Sequence, residues 1–400
     1  MSGSIHPHHL QSPDDLSGPG IGLCHPGLGP LTVPAGDRRQ SLSRRHLGSR
    51  HLGRHLGRRH PGPLLGPRHL GPVVVAGALC LAAGLLSGCT SGSAAATPTT
   101  PTAYVATGAS VANPGDTVAV VDTVTSRVQT PVITGTLPAA LAVTPDGKDV
   151  VVANKGDDTV SEIDVASGKV VRQATVGLEP DAVAITPGGT LALVANFGDN
   201  SVTPVSLPSL RPGHPILVGR QPVAVAVSPK GNLALVSNYE DGTVSPLALP
   251  SLAVGTPVPV GEEPSAVFIA PNGVNALVAD FQTTAVTSLD LLSMQPGAAV
   301  GVGGNPTDIA AAPGSGQAYV SGGDSVTPVN AASLVVGAPI SVGTTAEALA
   351  VTPGGATAWV CGANGVLVHV DLADGKMIKR VNVGNQPSAV VIAGGGGAAG

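Results

Sequence analysis

Residues 181–219 set short apolar runs between turn-forming residues: DAVAIT, PGG, LALVAN, GDN, SVTPVSL and PILVG follow one another. Runs of four to seven residues rich in Val and bounded by Gly, Pro, Asn and Asp are strands joined by tight turns. The pattern therefore predicts a four-stranded antiparallel meander. Its first two runs are apolar at nearly every position instead of alternating, so both faces of that sheet must be covered.

The phrase repeats. Pro138, Pro180, Pro222, Pro264 and Pro306 are spaced by 42 residues, and Ala346 and Pro387 continue the column at intervals of 40 and 41. A second column trails the first at a fixed offset: TPDG from Thr144, TPGG from Thr186, SPKG from Ser228, APNG from Ala270 and TPGG from Thr352. Self-similarity at this period marks stacked or radially arranged units. Six complete units begin at residues 138, 180, 222, 264, 306 and 346; the runs AYVATG, DTVAVVD and TPVITG precede them, and PSAVVIA follows. Three strands and one make a seventh unit. The expected architecture is all-β: a seven-bladed β-propeller of four-stranded antiparallel blades over residues 103–393, closed by pairing the C-terminal strand with the N-terminal blade. Closure would remove the sheet edges that invite aggregation. One feature sits awkwardly in this scheme, because Pro204, Pro246 and Pro328 stand inside the third run of their units. An interior strand excludes proline unless a bulge intervenes.

The stretch VVANKGDDTVSEIDVASGKVVRQATVGLEPDAVAITPGG resembles the YVTN-type β-propeller repeat, and SVTPVSLPSLRPGHPILVG resembles the form found in the YncE-like group. The resemblance recurs in every unit. The chain departs from it by losing most of the tyrosines, keeping Tyr104 and Tyr319. What the resemblance implies is the fold; it carries no fixed catalytic residues.

Composition sharpens this picture in two ways. With 55 Gly, 37 Pro, 11% charged and 2% aromatic residues, Ala and Val must fill the core. The formal charge of −5 also hides a division: residues 1–88 hold nine Arg and three Asp, a net +6, and the remainder holds 11 basic and 22 acidic residues, a net −11. An acidic domain is a poor partner for nucleic acid, whose affinity comes largely from phosphate neutralisation. Cys24, Cys80, Cys89 and Cys361 share no ligand spacing, and CxxCH is absent, so neither a disulfide framework nor covalently attached haem is expected.

The segment GPRHLGPVVVAGALCLAAGLLSGC has an Arg-bearing lead, an apolar run and small residues at its end, the order of a secretory signal. Its last four residues, Leu86-Ser87-Gly88-Cys89, resemble the lipobox of bacterial lipoproteins. That resemblance implies cleavage before Cys89, lipidation of its thiol and anchoring outside the cytoplasmic membrane. The expected organisation is a leader over 1–60, disordered or misassigned, a signal peptide over 61–88, a flexible tether over 89–102, the propeller, and a disordered Gly-rich tail over 394–400. Nine of the eleven histidines precede residue 70; His-rich tracts can bind metal.

In a meander, the turns after the second and fourth strands emerge on one face. That face receives Asp157, Asp158, Asp199, Glu240, Asp241, Asp280 and Asp324 from the turns after strand two. Glu179, Asp181, Glu262, Glu263, Asp308 and Glu347 join them from the segments leading into strand one, against only Lys155 and Arg220. Asp157, Glu179, Asp181, Asp199, Asp241, Glu263, Asp308 and Glu347 are the candidate ligand-binding residues. Such acids keep a surface soluble or coordinate a hard cation such as calcium, although no EF-hand spacing is present and no cofactor is expected. Asn154, Asn196 and Asn238, with Asp280 in the same column, fit turn caps. His369 falls on a third strand away from the axis, His214 precedes an outer strand, and Cys361 ends a second strand as a small buried hydrophobe. No catalytic constellation emerges. The leading expectation is a monomeric, lipid-anchored scaffold that binds a protein or small molecule. The alternative is a hydrolase resembling propeller-type lactonases, with Asp181 and Glu347 as base or metal ligands. A subunit of a periplasmic redox system would require haem or quinone motifs that the chain lacks.

Overall fold

The structure is a computed structural model that describes residues 100–110 and 113–394. The leader, the apolar segment and Cys89 lie outside the described residues. Seven antiparallel sheets follow one another along the chain. Blade 2 shows the plan: Pro138–Val143 is innermost, then Asp149–Asn154, Thr159–Asp164 and Lys169–Thr175. Blades 3 to 7 repeat it, with innermost strands Pro180–Ile185, Pro222–Val227, Pro264–Ile269, Pro306–Ala311 and Ala346–Val351. Blade 1 is made from both ends of the propeller. Thr102–Ser110 and Asn113–Asp122 form its middle, and Pro387–Ala393 is its innermost strand, with Val390 opposite Val105. Each innermost strand packs on the next, and the last packs against the innermost strands of blades 2 and 7. The ring is closed and has seven blades.

The apolar second strands explain the burial. Val150, Val151, Val152 and Ala153 are all fully buried, with Val150 and Val152 facing the cluster of blade 1 and Val151 and Ala153 facing that of blade 3. A side chain alternates across a strand, so a run apolar at every position serves two interfaces at once. Outer strands read differently: Lys169–Thr175 is mostly exposed.

The prolines inside third strands are accommodated by bulges. The outer strand bends away opposite each one and returns a single bond, with the Gly213, Gly255 and Gly337 N–H groups donating to the Pro204, Pro246 and Pro328 carbonyls at 2.7, 2.8 and 2.8 Å. In blades 3 and 4 this splits the outer strand into two short pieces. Proline lacks the N–H that the ladder would need, and glycine is required opposite because a Cβ at Gly255 would lie 2.9 Å from Pro246 Cγ. The bulge is general. Blades 2, 5 and 7, with Glu162, Ser288 and His369 in this column, show a register shift at the same place. There Glu162, almost fully buried, pairs with Arg172 at 2.8 Å.

Candidate functional site

The landmarks that make the repeat visible tie blades 2, 4 and 5 to the blade before each. Asn154 ends a second strand and is fully buried; its Nδ2 donates to Thr159 Oγ1 at 3.0 Å and Ser161 Oγ at 2.9 Å, while the Gly135 N–H, arriving from blade 1, donates to its Oδ1 at 3.1 Å. Asn238 repeats this with Thr243, Ser245 and the Gly219 N–H. Asn196 donates to Ser201 and Thr203, and Asp280 accepts from the Glu262 and Thr283 N–H groups. A Cβ at Gly219 would overlap the Asn238 amide. The Asn side chains therefore bond strand-three hydroxyls and, at Asn154 and Asn238, the preceding connection, instead of capping their own turns; of this column only Asp280 accepts an N–H of its own turn, from Thr283.

Four more acids of this face are engaged in interblade joints. Asp157, Asp199 and Asp241 accept the N–H groups of Thr136, Leu178 and Arg220 at 2.6, 3.1 and 2.7 Å, and Asp158 accepts that of Glu179 at 2.8 Å. The first three bonds join a turn to the connection from the preceding blade, and the Asp158 bond joins its turn to the connection leading to the next. Backbone hydrogen bonds from Arg220, with its guanidinium alongside, hold the Asp241 carboxyl below its ordinary range. Arg220 also pairs with Glu240 at 2.8 Å. Asp181 meets Lys155 at 2.8 Å, and the same ammonium lies 4.4 Å over the Phe197 ring. Glu263 accepts the Tyr239 hydroxyl at 2.6 Å, and burial raises that phenol's pKa.

The residue after each landmark forms a column at the mouth of the central channel. Register shifts leave Ala139, Asp181, Val223, Ser265, Thr307, Glu347 and Ser388 out of the inner ladders. Three hydroxyls here reach the next blade: Ser265 Oγ donates to the Pro306 carbonyl at 2.7 Å, Thr307 Oγ1 to Ala346 at 3.0 Å and Ser388 Oγ to Pro138 at 3.2 Å. One position further along, the column is Ala140, Ala182, Ala224, Ala266, Asp308, Ala348 and Ala389. Asp308 is the exception. Its carboxylate accepts the Ile309 N–H at 2.8 Å and, across the blade boundary, the Leu349 N–H at 3.0 Å; burial raises its pKa against those bonds. Burial also raises Glu347, which makes no hydrogen bond or ion pair among the described residues. Cys361 is fully buried, and burial, then the fields of Asp308 and Glu347, push its thiol well up. The two carboxylates and the thiol thus belong to one neighbourhood in blades 6 and 7.

Of the eight candidate acids, seven are distributed around the ring as ties or pairs, or as the exposed Glu179. Glu347 alone is half-buried and unpaired among the described residues. No group of three or more His, Cys, Asp and Glu residues stands where it could hold a metal ion among the described residues. His369 stacks on Trp359, with ring centroids 4.2 Å apart and planes 4° from parallel, far out on blade 7. The hydroxyl ties and the Lys155–Phe197–Asp181 group escaped the sequence reading. Their signal was positional, since both occupy fixed places beside the Pro and Asn landmarks.

The architecture defines a seven-bladed β-propeller. A family described as YNCE-like beta-propeller matches residues 71–203, which spans blade 2, most of blade 1 and the inner strands of blade 3. No curated protein matches the chain. Among solved structures, a functionally unknown protein from Desulfotomaculum acetoxidans superposes with a TM-score of 0.66 at 18% identity, covering 73% of this chain and 98% of its own. Kuenenia stuttgartiensis hydrazine synthase superposes at 0.59 and 19%, covering 63% and 88%. The dihydro-heme d1 dehydrogenase NirN in complex with DHE superposes at 0.54 and 17%, covering 74% and 75%. At these identities the likeness is one of fold, and a propeller hosts many unrelated chemistries.

Proposed function

We propose that the chain is a YncE-like propeller that acts as a non-catalytic binding scaffold, anchored outside the cytoplasmic membrane through lipid on Cys89. The observation that carries the scaffold reading is the engagement of Asp157, Asp199 and Asp241, whose carboxylates accept backbone N–H groups of the interblade connections. A carboxylate whose oxygens are taken up by the backbone of a neighbouring connection is committed to holding the blades together. The ligand-binding face is then the channel mouth, and the partner is a protein or small molecule, not nucleic acid. The anchor rests on Leu86-Ser87-Gly88-Cys89 behind an apolar run. Cys89→Ala should leave the protein without acyl chains and move it out of the membrane fraction; equal fractionation of wild type and variant would defeat the lipoprotein reading.

A second reading, a lactonase-like hydrolase, is favoured by one residue. Glu347 is half-buried, has no partner among the described residues, and burial raises its pKa, toward the range that suits a general acid or base. A panel of lactones decides between them. The scaffold reading expects no turnover above buffer, whereas turnover abolished by Glu347→Gln would establish the hydrolase.

A further inference from the structure

Blades 2 and 3 show how this mouth holds a cation. Lys155 is the residue after the Asn154 landmark of blade 2; its ammonium reaches across to Asp181, the residue after the Pro180 landmark of blade 3. Phe197, the residue after Asn196, supplies the ring beneath it. Acid, cation and ring each occupy a fixed place in the repeat, so the same three places can be found on any neighbouring pair of blades.

On blades 6 and 7 the acid is kept and the rest is removed. The register pairs Pro180 with Asn196, and likewise Ala346 with Gly362 and Pro306 with Gly322. Asp181 therefore corresponds to Glu347, Phe197 to Ala363 and Lys155 to Gly323. The turn carrying Gly323 is also two residues shorter than that carrying Lys155, running from Gly322 to Ser325 against Asn154 to Thr159. Where blade 2 sends Lys155 across the mouth, blade 6 has Gly323, and the other residue of its turn, Asp324, is an acid. Glu347 is left half-buried without a counter-charge, and Asp308 adds a second carboxylate nearby, tied only to backbone N–H groups. No Lys, Arg or His pairs with either among the described residues. Beside them Thr344, 7% exposed, has an Oγ1 without a hydrogen-bond partner and lies over Gly362, where blades 2 to 4 place the landmark Asn side chain.

We propose that this notch over Gly323 and Ala363 is a binding site for a primary alkylammonium group supplied from outside the chain, with Glu347 as its counter-ion. The inference rests on the scaffold reading and names the ligand chemistry of its mouth. A compact ammonium suits the place because the protein's own lysine fills the equivalent one. Binding an ammonium returns to the carboxylate the stabilisation it lost on leaving water, and truncating one partner of such a pair weakens binding about tenfold or more.

The test uses the full chain, n-butylammonium chloride as probe and sodium chloride at equal ionic strength as reference. The carboxyl resonances of 13C-labelled glutamate are followed in wild type, Glu347→Gln and Asp181→Asn. The expected result is saturable movement of one glutamate resonance in wild type, its loss in Glu347→Gln together with at least about tenfold weaker protection against thermal unfolding, and its retention in Asp181→Asn. Tighter binding of the tripeptide Gly-Lys-Gly than of n-butylammonium would mark a protein lysine as the source, and the reverse order a free amine; both sustain the site. No saturable movement in wild type, or equal response of wild type and Glu347→Gln, overturns it. Lactone turnover would overturn the scaffold reading and leave the ammonium result intact, so the two failures are distinguishable.

Discussion

Gly219 and Gly316 both have ordinary backbone angles, yet they stand in opposite surroundings. A Cβ on Gly219 would overlap the buried Asn238 amide, and one on Gly316 would meet nothing within 4 Å. Gly219→Ala should therefore lower stability by about 1–3 kcal/mol through overpacking, while Gly316→Ala changes it little; denaturant midpoints of the two variants check this. Glu347 makes the opposite kind of prediction. Its folded pKa is raised by burial, so its contribution to stability is present below the unfolded value of about 4.3 and lost as pH rises through the folded value. Gln mimics the protonated acid. Glu347→Gln should melt like wild type near pH 4 and higher than wild type at pH 7; a constant difference across that range would contradict a buried, unpaired carboxyl. Such a gain is what a residue kept for binding predicts, since functional sites depart from the stability optimum. The positions of these residues were legible in the sequence as landmark columns. Their commitments were not, because Asp157 and Glu347 are both acids of one face, and only the fold decides which of them has backbone N–H groups within reach.

Strand boundaries were the easiest feature to read, because Gly, Pro, Asn and Asp close every run. The interior prolines were readable only as a conflict: a third strand with Pro246 demands a bulge, but the compensating Gly255 lies nine residues on, in a segment that carries no strand pattern of its own. The consequence is a graded blade. Second strands such as Asp149–Asn154 are buried on both faces, whereas outer strands such as Lys169–Thr175 are largely exposed, and those opposite Pro204 and Pro246 are broken in two. Local opening free energy follows burial and continuity of the ladder. Hydrogen exchange should accordingly be slowest in peptides from second strands and fastest in outer strands, with blades 1, 3, 4 and 6, whose outer strands are split or reduced to two residues, losing their outer protection first. Uniform protection across a blade would show that the split strands are not weak points.

Ring closure fixes where the mouth residues stand relative to one another, so the joints, the Lys155–Asp181 pair and the notch at Glu347 all depend on it. The count of three leading strands and one trailing strand made closure legible; the sequence could not show that Trp359, the single tryptophan, would report on it. Trp359 is fully buried in a cluster with Ala103, Val105, Ala119 and Val121 of blade 1 and Val390 of the closing strand. Removing Pro387–Ala393 strips Val390 from that cluster, leaves the Thr102–Ser110 edge unpaired, and takes away the Ser388 tie to blade 2. Each lost burial of a Val or Ile costs about 1.5–3 kcal/mol, against about 5–15 kcal/mol for the stability of an ordinary domain. The deciding measurement is thermal unfolding followed by Trp359 fluorescence in two truncations, one ending at Asn385 and one ending at Ala393. The account predicts that the chain ending at Ala393 melts like wild type with the emission of a buried indole, and that the chain ending at Asn385 melts far lower with emission shifted to the red. Equal melting temperatures and equal emission in the two would contradict a closed seven-bladed ring.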